Sequence, residues 1–261
     1  MNLSLAFSPC PNDCFMFDAL VHGKIDTQGF KFKEVLLDID QLNLSLKDSR
    51  FDACKASIYA LLNHSDVYAI SDAGAALGFG CGPLLICKNL NELNQKHIKD
   101  WHVAIPGIET TAHLLLKRYF PEIHHKTVFR FSAIEDAVLQ GTVDAGLIIH
   151  ENRFTYADKG LECITDLGQK WEEEMHLPIP LGGIGLQKKL NQNIQEHITQ
   201  CIKKSIAYAF EYPHESLKYV LEHAQHMSPE VVTQHINLYV NAFSLSLGEQ
   251  GKKAIIQLQS S

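Results

Sequence analysis

The chain has 261 residues, 46% of them hydrophobic and 20% charged, which suffices for a sizeable core and excludes an intrinsically disordered polymer. A formal net charge of −7 at pH 7 supplies no basic stripe for a phosphodiester backbone, so no nucleic acid partner is expected. The opening "MNLSLAF" lacks a basic region followed by a long apolar stretch, and no window reaches the apolar length of a membrane span. The expected location is therefore the cytoplasm, away from membranes. Seven irregularly spaced cysteines suit that reduced compartment better than a disulfide framework.

In chain order, a strand over "LSLAF" enters "SPCPNDCFMFDALVHG". Pro9 and Pro11 stiffen the turn around Cys10. Asn12 or Asp13 is expected to cap a helix bearing Phe15, Phe17, Leu20 and Val21, with Gly23 at its stop. Cys10 and Cys14 have three residues between them rather than two, and even with His22 no second Cys or His pair completes a metal site, so no metal is expected. A strand near "FKFKEVLLD", a helix near "IDQLNLSLKDS" and a strand-to-helix passage in "RFDACKASIYALL" follow.

"GAALGFGCGPLLICK" reads as a loop and then a strand leaving a first lobe; its glycines lack the dinucleotide-binding spacing. A second α/β unit starts at "WHVAIPG". In it Thr110 or Thr111 starts a helix with Leu114, Leu115 and Tyr119, a strand near "VFRF" leads into a helix over "SAIEDAVLQG", and another strand lies in "VDAGLIIH". "LPIPLGGIGLQKKL" is a return strand. Beyond Asn191 the pattern is helical, with Ile194, Ile198, Ile202, Ile206 and Phe210 on one face and a further start at Ser228-Pro229. His214, His223, His226 and His235 have no ligand spacing and are read as surface or capping residues.

The alternation of short apolar runs with helical patterns predicts α/β construction with largely parallel strands. A weak internal repeat aligns Asp52-Ala53 with Asp144-Ala145 and suggests two similar lobes: residues 1–88 with 180–261, and residues 89–179. Ligands gather at the carboxyl ends of strands in such sheets. That rule nominates the turn from Ser8 to Asp13, Lys55-Ala56-Ser57, Thr110-Thr111 and His150 as walls of a cleft between the lobes. Ser57, Thr110 and Thr111 sit equally well as helix caps. His150 ends an apolar strand and is followed by the polar "ENR", a placement suited to a general base or to a hydrogen-bonded structural histidine.

The segments "FSPCPNDCFMFDALVHG", "KASIYA", "PGIETTAHLLL", "GLIIHENRFTY" and "PIPLGGI" together resemble the 1,4-dihydroxy-6-naphthoate synthases of the futalosine route to menaquinone. The resemblance implies a periplasmic-binding-protein-like fold of two α/β lobes, used as a cytoplasmic lyase. Its small-molecule substrate would be cyclic dehypoxanthinylfutalosine, with no metal, no organic cofactor and no obligate protein partner. It further implies His150 as catalytic base and Lys55, Ala56, Ser57, Thr110 and Thr111 as substrate contacts; Asn12 and Asp13 are expected as a cleft wall from their place after the first strand. Cys14 departs from the threonine expected there. The alternatives are a solute-binding protein without chemistry, disfavoured by the missing signal peptide, and the related chorismate dehydratase of the same pathway.

Overall fold

The computed structural model describes residues 1–224 and 227–260, so His226 lies outside the described residues. The chain divides into unit 1, Met1–Gly78 with Pro180–Ser260, and unit 2, Phe79–Ile179.

Unit 1 contains β1 (Asn2–Phe7), α1 (Pro11–Val21), β2 (Lys31–Leu36), α2 (Ile39–Ser45), β3 (Ala53–Ser57), α3 (Ile58–Asn63), β4 (Tyr68–Ile70) and β5 (Ala76–Gly78). Unit 2 contributes β6 (Leu84–Cys87), α4 (Leu90–Leu93), β7 (His102–Ile105), α5 (Thr111–Tyr119), β8 (His125–Val128), α6 (Ile134–Leu139), β9 (Ala145–Ile148), α7 (Asn152–Thr155), β10 (Glu162–Asp166) and α8 (Leu167–Met175). The chain then returns to unit 1 through β11 (Ile179–Gln187) and closes with α9 (Gln192–Glu211), α10 (Pro213–His223), α11 (Pro229–Tyr239), α12 (Ala242–Leu245) and α13 (Gly248–Gln259).

The sheet of unit 1 runs β2-β1-β3-β11-β4, with β5 also on β11, and that of unit 2 runs β10-β6-β9-β7-β8. Of the four pairings along each strand order, two are parallel. β1 pairs β2 and β3 in parallel while β11 lies antiparallel to β3 and β4; β7 pairs β8 and β9 in parallel while β6 lies antiparallel to β9 and β10. The expectation of largely parallel strands is thus corrected to an even mixture. The two sheets share one plan, a parallel trio followed by two antiparallel strands. Because β6 pairs with β9 and β10, the chain enters unit 2 before it, at Gly78–Phe79.

The internal repeat has a physical counterpart in this plan. Asp52 Oδ2 accepts from Ser4 N at 2.9 Å and Ser4 Oγ at 2.8 Å in β1, and Asp144 Oδ2 accepts from His102 N at 2.9 Å in β7. Each aspartate, just before the central strand, ties it to the parallel strand alongside. Burial works against ionisation of Asp52, but the Ser4 N–H and hydroxyl and then Lys189 outweigh it and hold the carboxyl below its ordinary value. For Asp144, burial is likewise outweighed by the His102 N–H and Lys96. A folded-state value below the unfolded one contributes stability that is complete above the unfolded value and is lost as pH falls through the folded one. Urea midpoints measured downward from about pH 5 should therefore drop, and D52N should flatten part of that slope.

Ile198, Ile202 and Ile206 of α9, each 0% exposed, pack with Leu5, Phe7, Met16, Phe17 and Ile184. Ser205 Oγ, on the same helix, donates to Met16 O at 2.7 Å and accepts from Leu20 N at 3.1 Å, so α1 is bonded as well as packed to α9. Phe210, expected on that face, is 43% exposed near the helix end. Ser228 caps α11 by accepting from Val231 N at 3.3 Å. His235, read as a surface or capping residue, is instead a 0% exposed residue within α11, with its ring 4.6 Å from that of Tyr239; the apolar face of α11 carries it inward.

In unit 2, Ile86, Ala104, Ile134, Val138 and Ile148 form the core. Gly82 and Gly168 meet backbone to backbone: a Cβ on Gly82 would stand 2.2 Å from Gly168 Cα, and one on Gly168 2.5 Å from Gly82 Cα. Neither neighbour is a side chain that can turn aside. Gly82→Ala should destabilise unit 2 by about 3 kcal/mol, read as a lowered urea midpoint.

Candidate functional site

In unit 1, β1 and β3 are adjacent and parallel, with Leu5 opposite Ala53 and Ala6 opposite Cys54. Their carboxyl ends therefore share one edge of the sheet. The turn leaving β1 starts α1 sooner than expected. Pro11, with its φ fixed, occupies the first helical position and Cys10 is the cap residue without a side-chain cap bond. Asn12 and Asp13 thus lie inside the first turn and do not cap the helix.

Asp13 is 1% exposed and is saturated with donors: Ser8 Oγ at 2.6 Å and Ser8 N at 3.2 Å on Oδ2, and Asn12 Nδ2 at 2.9 Å and Lys55 Nζ at 3.1 Å on Oδ1. Lys55, 3% exposed, also donates to Gly74 O at 2.8 Å. Its ammonium is committed to an internal ion pair and a carbonyl. Because Asn12 turns its amide nitrogen to a carboxylate, the orientation of the amide is fixed. Asn12 Oδ1 is left as a buried acceptor with no partner among the described residues.

Ala56 is 0% exposed and lies opposite Gly183 of β11. Ser57 ends β3 and precedes α3 without a side-chain cap bond. It is gripped instead by Asn43 of α2, which accepts from Ser57 N at 2.9 Å and donates to Ser57 Oγ at 3.0 Å. That grip fixes the hydroxyl as an acceptor toward Asn43 and leaves its own proton for another group. Cys14 is 0% exposed within the unit 1 core, and burial, aided by the charge of Asp13, pushes its thiol far up. A threonine hydroxyl there would need a buried partner; the sulfur does not.

In unit 2 the same logic places Thr110, Thr111 and His150 at one edge, since β7 and β9 are parallel neighbours with Val103 opposite Ala145. Thr110 caps α5: its Oγ1 accepts from His113 N at 3.2 Å and donates to Gly107 O at 2.7 Å. Its hydroxyl is spent within the loop. Thr111 opens the helix and is 2% exposed; the positive end of the helix dipole lies there and favours negative charge nearby. His113 Nδ1 lies 2.8 Å from Ile108 O, so that nitrogen donates, and burial pushes the imidazole below its ordinary value despite this bond. A neutral ring thus braces the loop.

His150 follows β9 in a left-handed conformation, φ 59°, uncommon outside glycine and frequent at functional turns. It is half-buried, with its ring centroid 5.0 Å from that of Phe131. The short α7 begins two residues later. Arg153 anchors that helix by donating from Nη1 to Gly82 O at 2.7 Å and from Nη2 to Asp166 Oδ2 at 2.6 Å. Asp166 in turn caps α8 through Gly168 N and Gln169 N.

The nominated residues thus fall into two groups, Asn12, Asp13, Lys55, Ala56 and Ser57 in unit 1 and Thr110, Thr111 and His150 in unit 2, each at the carboxyl edge of parallel strands. Asn43 and Asp166 were not nominated, and no local pattern marks them. A family model described as menaquinone biosynthesis matches residues 3–260. The chain belongs to this family. A relative from Thermus thermophilus named 1,4-dihydroxy-6-naphthoate synthase is 41% identical over 98% of this chain and 92% of its own. The crystal structure of protein AF1704 from Archaeoglobus fulgidus, 34% identical, superposes with a TM-score of 0.92 over 99% of this chain and 96% of that one. The fold of the family is seen in more distant company too. A Candida albicans protein described as having the generic periplasmic-binding-protein fold aligns at 12% identity, TM-score 0.70, over 100% of this chain and 91% of its own.

Proposed function

We propose that the chain is a lyase of menaquinone biosynthesis that converts cyclic dehypoxanthinylfutalosine into 1,4-dihydroxy-6-naphthoate, with His150 as general base. The observation that carries this reading is the near full-length identity to a relative bearing that name, joined to the conformation of His150 at the edge it shares with Thr111.

In this reading the imidazole of His150 removes a proton from the bound substrate, and bond cleavage releases a sugar-derived fragment and leaves an aromatic bicyclic product, whose aromatisation drives the step. A positioned base contributes roughly 10²–10⁴-fold and a donor to a developing oxyanion 10²–10³-fold. The positive end of the α5 dipole is proposed to favour the charge that develops on that oxygen. Ser57, oriented by Asn43, and Asn12 Oδ1 offer the substrate one donor and one acceptor from unit 1. Lys55 acts by holding Asp13 and the turn that carries Asn12.

No helix among the described residues is long and apolar enough to cross a membrane; the cytoplasm is the proposed site of action. Incubating the purified chain with cyclic dehypoxanthinylfutalosine and following dihydroxynaphthoate by mass spectrometry tests the assignment. Substrate recovered unchanged from a folded sample would favour a binding protein without chemistry.

A further inference from the structure

The segment from Phe131 to Val138 touches the chain around His150 before, at and after that residue. Before it, Gly146 of β9 lies directly beneath α6: a Cβ there would stand 2.5 Å from Ile134 Cγ2 and 2.8 Å from Val138 Cγ2. Only a glycine lets helix and strand approach so closely. At His150 itself, the Phe131 ring is tilted 52° against the imidazole. After it, Glu135 of α6 accepts from Asn152 Nδ2 at 2.5 Å and from Lys159 Nζ at 2.6 Å, both on Oε2.

The last contact calls for a reason. Glu135 is 1% exposed and Asn152 6% exposed, and Glu135 Oε1 has no partner among the described residues. Lys159 compensates the charge on Oε2, but burying Oε1 without a partner still costs stability. Asn152 is the first residue of α7, which is four residues long and too short to hold its own shape. The turn between β9 and α7 is the one in which His150 adopts φ 59°, and a bond from α6 to the first residue of α7 fixes the far side of that turn. Arg153 secures the following residue to Gly82 and Asp166.

We propose that Glu135 is a positioning residue for His150, holding the start of α7 through Asn152 and so fixing the left-handed turn that aims the imidazole. This rests on His150 being the base. A misplacement of about 1 Å at a reacting group lowers turnover by roughly 10²-fold, which sets the size of the effect.

Turnover of cyclic dehypoxanthinylfutalosine by E135A and N152A should fall about 10- to 100-fold in kcat, with KM within about threefold of the parent. E135Q still offers Asn152 an oxygen and should recover most of the loss. In an H150N background E135A should remove nothing further, because the two changes act on one event. A folded E135A with kcat within about twofold of the parent would overturn the proposal, as would E135Q as impaired as E135A, or additive losses in the double variant. Should E135A fail to fold, N152A decides by the same criteria, and failure of both to fold would make the contact a folding element and overturn the positioning role. Full activity in H150N would instead remove the base itself, whereas an inactive H150N beside an unimpaired E135A removes only Glu135.

Discussion

His150→Asn should lower kcat by roughly 10²–10⁴-fold, the contribution of a positioned general base, while circular dichroism and the urea midpoint stay close to those of the parent. Asparagine is the replacement of choice because His150 has φ 59°, a region that asparagine tolerates better than alanine. A loss of turnover is then assigned to the missing imidazole and not to a strained turn. His150 is only half-buried, so little packing is removed. KM should change little, since a base acts mainly in the transition state. Near-parental kcat in a folded H150N would take His150 out of the mechanism.

The second large effect is one of stability. Lys55→Met should destabilise unit 1 by about 3–5 kcal/mol, the penalty for breaking a buried ion pair from one side. The Lys55 and Asp13 side chains are 4% and 2% exposed, so water cannot replace the lost ammonium. Asp13→Ala strands the ammonium in the same way. The double variant D13A/K55M should lose less than the sum of the two, because it leaves no uncompensated charge. Urea unfolding of the four proteins gives the coupling directly. If Lys55 instead met substrate with its ammonium and had no structural duty, K55M would raise KM and leave the midpoint alone.

The positions nominated from sequence were those whose chemistry is local. Thr110 reads as a helix start because a cap bond spans three residues, and it is found between Thr110 and His113. Pro11 gave away the stiff turn but not that it would begin the helix itself. What Lys55 does could not be read, since its partners Asp13 and Gly74 are brought to it only by folding. Asn43 and Ser57 likewise sit 14 residues apart on different elements.

Strand sense was equally hidden. β6 and β11 carry apolar runs that would serve in either direction, and they turn out antiparallel, β6 to β9 and β10 and β11 to β3 and β4. The strand expected near "VFRF" lies three residues earlier, over His125–Val128, because its partner β7 ends at Ile105 opposite Val128. Phe129 then packs onto the core beyond the strand's end. β10 was not foreseen: "ECITD" is a short edge strand with a register shift.

The division of the chain also dictates an order of assembly. Unit 2 is one uninterrupted stretch, Phe79–Ile179, whose sheet closes with strands that are all present once Asp166 has been made. Unit 1 cannot close its sheet until β11 arrives, since Gly182 pairs with Ser57 and Leu186 with Ala53, and its core waits longer for Ile198, Ile202 and Ile206. On a ribosome, where domains fold as units, the half made first is therefore left open-edged while the inserted half matures. Loop closure over so long a separation is slow, so refolding should be biphasic, with the tryptophans Trp101 and Trp171, both in unit 2, reporting the faster phase.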